Sequence, residues 1–69
     1  MNRHYNDIYG VIAKIDGERT KYVCGEGIYY SKSHAVRDAR RIAKTLEGYD
    51  SLAVIWNMDD SVIWSKRLA

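Results

Sequence analysis

The chain has 69 residues, of which 46% are hydrophobic and 29% are charged, and its formal net charge is +2. A globular chain of this length buries about 60% of its unfolded surface, which predicts one small domain over residues 1–69. The longest apolar run, Leu52–Trp56, is too short to cross a membrane, and residues 1–7 have no signal-peptide core. We therefore expect a cytoplasmic protein that does not contact a membrane.

A β-hairpin is predicted at the start of the chain. The β-branched and aromatic run Ile8–Ile15 is followed by Asp16-Gly17, a pair that suits the positive φ angles of a type I′ turn. A loop of only these two residues places Val11 opposite Tyr22 and starts the return strand at Glu18. The return strand is then expected to end near residue 24.

Gly25-Glu26-Gly27 interrupts this strand and predicts a bulge or a turn before the strand resumes. These glycines do not form a phosphate-binding loop, because such a loop needs further glycines or a Gly-Lys-Ser/Thr ending that leads into a helix. Tyr29 and Tyr30 follow as neighbours, and neighbouring residues of a strand point to opposite faces. At least one of the two is therefore expected to be exposed as a contact residue.

An amphipathic helix is predicted from about Lys32 or His34 to Glu47, with a serine as its N-cap and Gly48 as its left-handed end. One face of the helix is apolar and includes several alanines, so we expect it to pack closely on a sheet: Ala35, Val36, Ala39, Ile42, Ala43 and Leu46. The opposite face carries a basic stripe, defined as Arg37, Arg40, Arg41 and Lys44. Little neutralisation is expected inside the stripe, because Asp38 and Glu47 lie at its margins.

A second hairpin is predicted from Leu52–Trp56, a turn over residues 57–61 and a last strand over residues 62–68. The adjacent Asp59 and Asp60 are interpreted as turn residues rather than as a general acid and base. The order β-β-α-β-β predicts an α+β fold: an antiparallel sheet of four strands, or five, built from two hairpins with one amphipathic helix packed on one face.

The run Leu52–Trp56 is apolar at consecutive positions, so both faces of the sheet are expected to carry apolar side chains. One helix covers only one face. The other face is then covered by the N-terminal segment with Tyr5, by a second copy of the protein in a homodimer, or by a partner. An exposed Trp56 or Trp64 is expected to mark this second face.

No catalytic, cofactor or metal site is predicted. The two histidines and the single Cys24 lack the spacing of metal ligands, and Ser33-His34 is interpreted as a capping serine and an exposed histidine at the helix start, not as a nucleophile and its base. The chain has six tyrosines and two tryptophans but no phenylalanine. Tyrosine and tryptophan are typical of contact surfaces and base-stacking platforms as well as of small cores. The predicted contact residues are Arg37, Arg40, Arg41, Lys44, Lys32, Tyr29, Tyr30, Trp56 and Trp64. Lys66 and Arg67 extend the basic stripe if the fold brings them near it.

In its size, in its β-β-α-β-β order and in the helix AVRDARRIAK followed by two tryptophan-containing strands, the chain resembles small phage-encoded anti-CRISPR proteins that inhibit type I surveillance complexes. The resemblance covers most of the chain as architecture. It implies a stoichiometric, non-enzymatic inhibitor whose surface occupies the DNA-binding site or a recruitment surface of a bacterial defence complex.

Two functions stay open at this point. The first is an inhibitor or adaptor that docks on a bacterial protein or nucleoprotein complex through the basic stripe and exposed aromatic residues. The alternative is a small nucleic-acid-binding domain that uses Arg37, Arg40, Arg41 and Lys44. The order of elements does not match RNA-recognition, KH, zinc-finger or double-stranded-RNA modules, which favours the first function.

Overall fold

The computed structural model describes residues 7–56 and 59–68. The elements in chain order are strand β1 (Tyr9–Lys14), strand β2 (Tyr22–Tyr29), helix α1 (Lys32–Ala43), strand β3 (Ser51–Trp56) and strand β4 (Ser61–Arg67). The strands form one antiparallel sheet in the order β2-β1-β3-β4, which confirms the predicted α+β fold with four strands. No helix among the described residues is long and apolar enough to span a membrane. The predicted cover by Tyr5 lies outside the described residues.

The first hairpin pairs in a different register from the predicted one. Val11 lies opposite Cys24 rather than Tyr22, a shift of two residues that keeps each side chain on its predicted face. β2 therefore begins at Tyr22 instead of Glu18, and residues 15–21 form the connection between the two strands.

The tip of this connection is bound to the neighbouring ends of β3 and β4. The Asp16 N–H donates to the Asp50 carboxylate at 2.7 Å. The Arg67 guanidinium donates two hydrogen bonds to the Asp16 carboxylate, at 2.9 and 3.1 Å. Asp16-Gly17 forms a turn, with a 3.0 Å hydrogen bond from the Glu18 N–H to the Ile15 carbonyl. Only Gly17 of the pair has a positive φ angle, +88°, so the predicted type I′ turn is wrong, and a turn of another type matches the twist of a tight hairpin less well. The turn is therefore bound to the ends of β3 and β4, and the ladder between β1 and β2 starts with Ala13 opposite Tyr22.

The glycines of residues 25–27 form the predicted irregularity in β2. The register between β1 and β2 changes between Tyr9 and Val11, opposite this segment. Gly25 and Gly27 have φ angles of +67° and +85°, in the left-handed region that favours glycine. A Cβ atom at Gly25 would also overlap the Tyr29 hydroxyl. Gly25 is thus required by its backbone angle and by the side chain packed over it.

Helix α1 begins where the sequence predicts and ends earlier. Ser31 is the N-cap, since its Oγ accepts from the His34 N–H at 3.3 Å. The helix ends at Ala43, four residues before the predicted Glu47. The last turn tightens there, because the Thr45 N–H donates to the carbonyl three residues back at 3.1 Å. Gly48 has a φ angle of +89° but lies in the loop that follows, so its predicted role as the helix end is wrong.

Apolar side chains occupy both faces of the sheet, as predicted. The face under α1 holds the main buried cluster: Val11, Ala13, Tyr29, Ala35, Ala39, Leu52 and Val54. The predicted packing face of α1 is confirmed, because Ile42, Ala43 and Leu46 pack against this cluster with the buried Ala39.

The face opposite α1, which we call the open face, holds a second buried cluster of Ile12, Ala53 and Ile55. Val23 lies beside Ile12 and is 68% exposed, and Val62 lies beside Ile55 and is 61% exposed. The predicted second copy or partner on this face stays a prediction.

Replacing Gly25 with alanine is predicted to destabilise the protein more than replacing Gly27 with alanine. Each change places a Cβ atom on a left-handed residue, which costs about 1–2 kcal/mol. At Gly25 the new Cβ atom also meets the Tyr29 hydroxyl, whereas at Gly27 it would have no atom of the described residues within 4 Å beyond its chain neighbours. Urea unfolding measures the two losses, and losses of equal size would contradict this interpretation of the bulge.

Candidate binding surface between the helix and the edge strand

A buried carboxylate connects α1 to β2. Asp38, in the middle of α1, accepts hydrogen bonds from the Tyr29 hydroxyl of β2 and from the Arg41 guanidinium one turn along the helix. The Arg41 Nε atom lies 3.0 Å from Asp38 Oδ1. The Tyr29 hydroxyl in turn accepts from the Glu26 N–H at 3.0 Å. This network joins the bulge of β2 to the helix above it.

The network shifts the pKa values of its members. The hydrogen bond from Tyr29 and then that from Arg41 lower the pKa of the Asp38 carboxyl. Burial and then the hydrogen bond to Asp38 raise the pKa of the Tyr29 hydroxyl. At neutral pH the carboxylate is therefore ionised and the phenol is neutral, which is the pairing in which Tyr29 donates to Asp38.

Two predicted contact residues form contacts within the fold. Arg41 pairs with Asp38, because an i, i+3 spacing brings the two side chains together on the helix. The expectation of little neutralisation inside the basic stripe is therefore wrong for Arg41. Tyr29 is only 1% exposed, so a partner cannot contact it. Tyr30 is 72% exposed, which confirms that one of the two neighbouring tyrosines is accessible.

The other cations of the basic stripe are available for binding. Arg37, Arg40 and Lys44 are exposed along α1, and the exposed Lys66 of β4 lies beside Arg40 and Lys44. None of these four side chains forms an ion pair with another residue of the described ranges. Lys32 is exposed at the opposite end of α1. Arg67, which was predicted with Lys66 to extend the basic stripe, forms an ion pair with Asp16.

A groove runs between the helix and the edge strand of the sheet. Because α1 packs mainly over β1, β2 and β3, it leaves β4 uncovered on the helix side. The α1–β4 groove has a volume of about 570 Å³ and is lined by Arg40, Ala43, Lys44, Trp64, Ser65 and Lys66. A second hollow of about 550 Å³ continues along the basic stripe and shares Arg40 and Lys44 with the groove. Positive charge therefore surrounds a concave surface that contains an indole ring.

Trp64 lies on the helix side of the sheet and not on the open face. It is half-buried, pairs with Val54 and packs against the main cluster. The expectation that an exposed Trp56 or Trp64 marks the open face is therefore wrong. Trp56 also lies on the helix side, because it is two residues from Val54 in β3 and pairs with Tyr9, which packs against the main cluster. Trp56 is also half-buried, and its indole N–H is buried without a hydrogen-bond acceptor among the described residues.

The remaining candidate groups fit structural roles. Asp59 accepts from the Ser61 N–H at 3.0 Å and from the Ser61 hydroxyl at 2.5 Å, as its interpretation as a turn residue predicts. Burial raises the pKa of the Cys24 thiol, so the reactive thiolate is disfavoured. Within the described residues, no three His, Cys, Asp or Glu side chains are grouped as a metal site.

Comparisons of this chain with protein families, with curated proteins and with solved structures find no match. The candidate function is therefore argued from the chain's own geometry. Its main feature is the α1–β4 groove with the exposed cations around it.

Replacing Asp38 with asparagine is predicted to lower the free energy of unfolding by about 1–3 kcal/mol at neutral pH, because the charged acceptor of Tyr29 and Arg41 is lost. The folded-state pKa of Asp38 lies below its unfolded value, so the carboxylate stabilises fully above the unfolded value. That contribution is lost as the pH falls through the folded value. The difference between the wild type and the Asp38→Asn variant should therefore shrink below pH of about 4.

Urea unfolding over a series of pH values measures this difference. Asparagine keeps the size of the side chain, so packing changes little. A difference that stays constant from neutral to strongly acidic pH would contradict the role of the Asp38 charge.

Proposed function

We propose that this protein is a non-enzymatic inhibitor or adaptor that docks on a bacterial protein or nucleoprotein complex, in the manner of the small phage anti-CRISPR proteins that its sequence resembles. The observation that supports the proposal is the α1–β4 groove, in which Arg40, Lys44 and Lys66 surround Trp64. The docking surface consists of this groove and the adjoining Arg37.

The charges of this surface favour an anionic partner. Arg37, Arg40 and Lys44 follow one another along one helix face, and like charges at such spacings repel each other by a few tenths of a kcal/mol per pair, roughly. An acidic partner removes this repulsion, and complementary charge also accelerates association. Each exposed ion pair contributes little alone, so the binding free energy depends on several pairs acting together around an apolar contact.

Trp64 supplies that apolar contact. Tryptophan and arginine are the residue types that most often dominate binding energy when they lie at the centre of an interface. The Trp64 ring is fixed by its packing on the main cluster, so little side-chain entropy is lost when a partner covers its exposed part. The surface thus combines a rigid aromatic centre with a cationic surround.

The same groove supports a second candidate function, a small domain that binds single-stranded nucleic acid. A cation-lined groove with an aromatic ring is the arrangement on which unpaired bases stack while the phosphates contact Lys and Arg. The two functions differ in their response to salt. Single-stranded nucleic acid loses affinity with a slope of about −0.7 in log affinity against log salt for each neutralised phosphate, and a protein interface with an aromatic centre shows a shallower decline.

The double variant Arg37→Glu/Arg40→Glu is predicted to lose partner binding and keep its fold, because both side chains are exposed and form no ion pair within the part of the chain that the structure describes. The matched control is Arg19→Glu/Lys21→Glu in the connection before β2, since both variants change the net charge from +2 to −2. Retention of partners from a nuclease-treated lysate of a bacterium with a type I CRISPR system is measured by mass spectrometry. Equal retention of partners by the wild type and Arg37→Glu/Arg40→Glu would contradict the proposed surface. Equal loss of partners in both double variants would mean that binding depends on net charge and not on this surface.

Inhibition is measured in the same bacterium. Expression of the wild-type protein should restore plaques of a phage that the CRISPR system targets, and Arg37→Glu/Arg40→Glu should not. Plaque numbers equal to those of an empty vector would contradict the inhibitor function. Partners that are lost on nuclease treatment, with the steep salt slope, would favour the nucleic-acid-binding function instead.

A further inference from the structure

β4 offers a free edge directly beside the α1–β4 groove. It is the last strand of the sheet and pairs, among the described residues, with β3 alone. Its register to β3 is regular from Trp64 to Arg67, after a shift near Val62. The other edge strand, β2, is interrupted by the left-handed Gly25 and Gly27. The regular part of β4 is therefore the edge that suits pairing with a further strand.

The hydrogen bonds of the sheet show which backbone groups of β4 face outward. The Leu68 N–H donates to the Asp50 carbonyl at 2.9 Å. Because backbone groups of successive residues in an antiparallel ladder alternate in direction, Lys66 bonds to β3 as well. The same alternation directs the N–H and C=O groups of Ser65 and Arg67 away from β3. These outward groups have no strand to pair with in the described residues.

The side chains around this edge determine what an added strand must carry. Side chains of a strand alternate between the two faces of a sheet, so every second residue of an added strand would lie on the helix side. There it meets Arg40, Lys44 and Lys66, cations that form no ion pair with another residue in the described ranges. Glutamate and aspartate complement these charges. On the other face the neighbour is the exposed Ser65, which suits a small polar or β-branched residue such as threonine.

We propose that the partner binds by strand addition: an extended acidic segment of a protein pairs with β4 as a fifth strand and places its alternate carboxylates against Arg40, Lys44 and Lys66. This inference rests on the proposed function, since it specifies the chemistry of the partner at that surface. Backbone hydrogen bonds to Ser65 and Arg67 supply affinity, and the cations supply specificity. A nucleic acid has no peptide backbone and would bind these cations without using the edge of β4.

Proline at position 65 tests the edge directly. Ser65→Pro removes the outward N–H and leaves the bonds between Lys66 and β3 in place, and proline is tolerated at such edge positions. The control Ser65→Ala keeps the N–H. The probe is a short peptide of alternating glutamate and threonine, titrated by calorimetry. We expect the wild type and Ser65→Ala to bind it equally and Ser65→Pro to bind it about tenfold more weakly, the effect of one lost hydrogen bond and its local strain.

A third variant, Arg40→Glu/Lys44→Glu, separates this inference from the proposed function. If Ser65→Pro binds the peptide as well as the wild type does while Arg40→Glu/Lys44→Glu does not, strand addition is overturned and the anionic docking surface stands. If Arg40→Glu/Lys44→Glu also binds normally, both are overturned. Failure of the wild type to bind the peptide, or tighter binding of an oligothymidine of equal charge, overturns the acidic strand as the partner.

Amide hydrogen exchange on the wild type gives a second measurement, which does not depend on whether Ser65→Pro folds. In the free protein, the outward N–H groups of Ser65 and Arg67 should exchange rapidly, while that of Lys66 is protected by β3. Saturating peptide should slow exchange at Ser65 and Arg67. Unchanged exchange at these two amides in the bound state overturns strand addition.

Discussion

The hydrogen bond from the Tyr29 hydroxyl to the Asp38 carboxylate determines where α1 lies on the sheet. An ionised side chain in a buried position is tolerated only when it is paired, so Asp38 has to stay within reach of both Tyr29 and Arg41. Ala35 and Ala39, on the same side of the helix, are completely buried and allow α1 to approach the strands closely. The two alanines permit close packing of α1 on the sheet, and the Asp38 carboxylate fixes the position of the helix.

This position has a consequence at the far edge of the sheet. Since Tyr29 ends β2, the helix is held towards β2, β1 and β3, and the helix side of β4 is left as the wall of a groove. The Asp38 carboxylate also divides the cations of α1 into two groups. Arg41 neutralises the buried carboxylate. Arg37, Arg40 and Lys44 have no such partner among the described residues and are exposed near Lys66. The fold and the proposed binding surface thus depend on different charges of one helix.

Local patterns in the sequence were sufficient to predict the order of elements, the bulge near Gly25, the packing face of α1 and a turn at Asp16-Gly17, although not the type of that turn. They did not predict contacts between residues that lie far apart in the chain. Asp16, in the connection between β1 and β2, is bound by Arg67, 51 residues away in the chain. The i, i+3 spacing of Asp38 and Arg41 was visible and could have revealed their pairing.

The candidate site was predicted in part for the same reason. Arg37, Arg40 and Lys44 were identified from helical periodicity, which needs no knowledge of the rest of the fold. Lys66 lies beside these residues and Trp64 lies under them because of the strand order and the face of the sheet that α1 covers. Neither is encoded in a local pattern. Tyr29 was misassigned because two neighbouring tyrosines predict one exposed ring without showing which ring it is.

Binding of an anionic partner in the α1–β4 groove is tested most directly by the fluorescence of Trp64. The chain has two tryptophans, so a Trp56→Phe variant reports on Trp64 alone and a Trp64→Phe variant reports on Trp56 alone. Saturating polyglutamate should shift the emission of Trp64 to shorter wavelength, because the partner removes water from the exposed part of the indole, and should leave the emission of Trp56 unchanged. A shift confined to Trp56, or bound polyglutamate without any change at Trp64, would contradict binding in the groove.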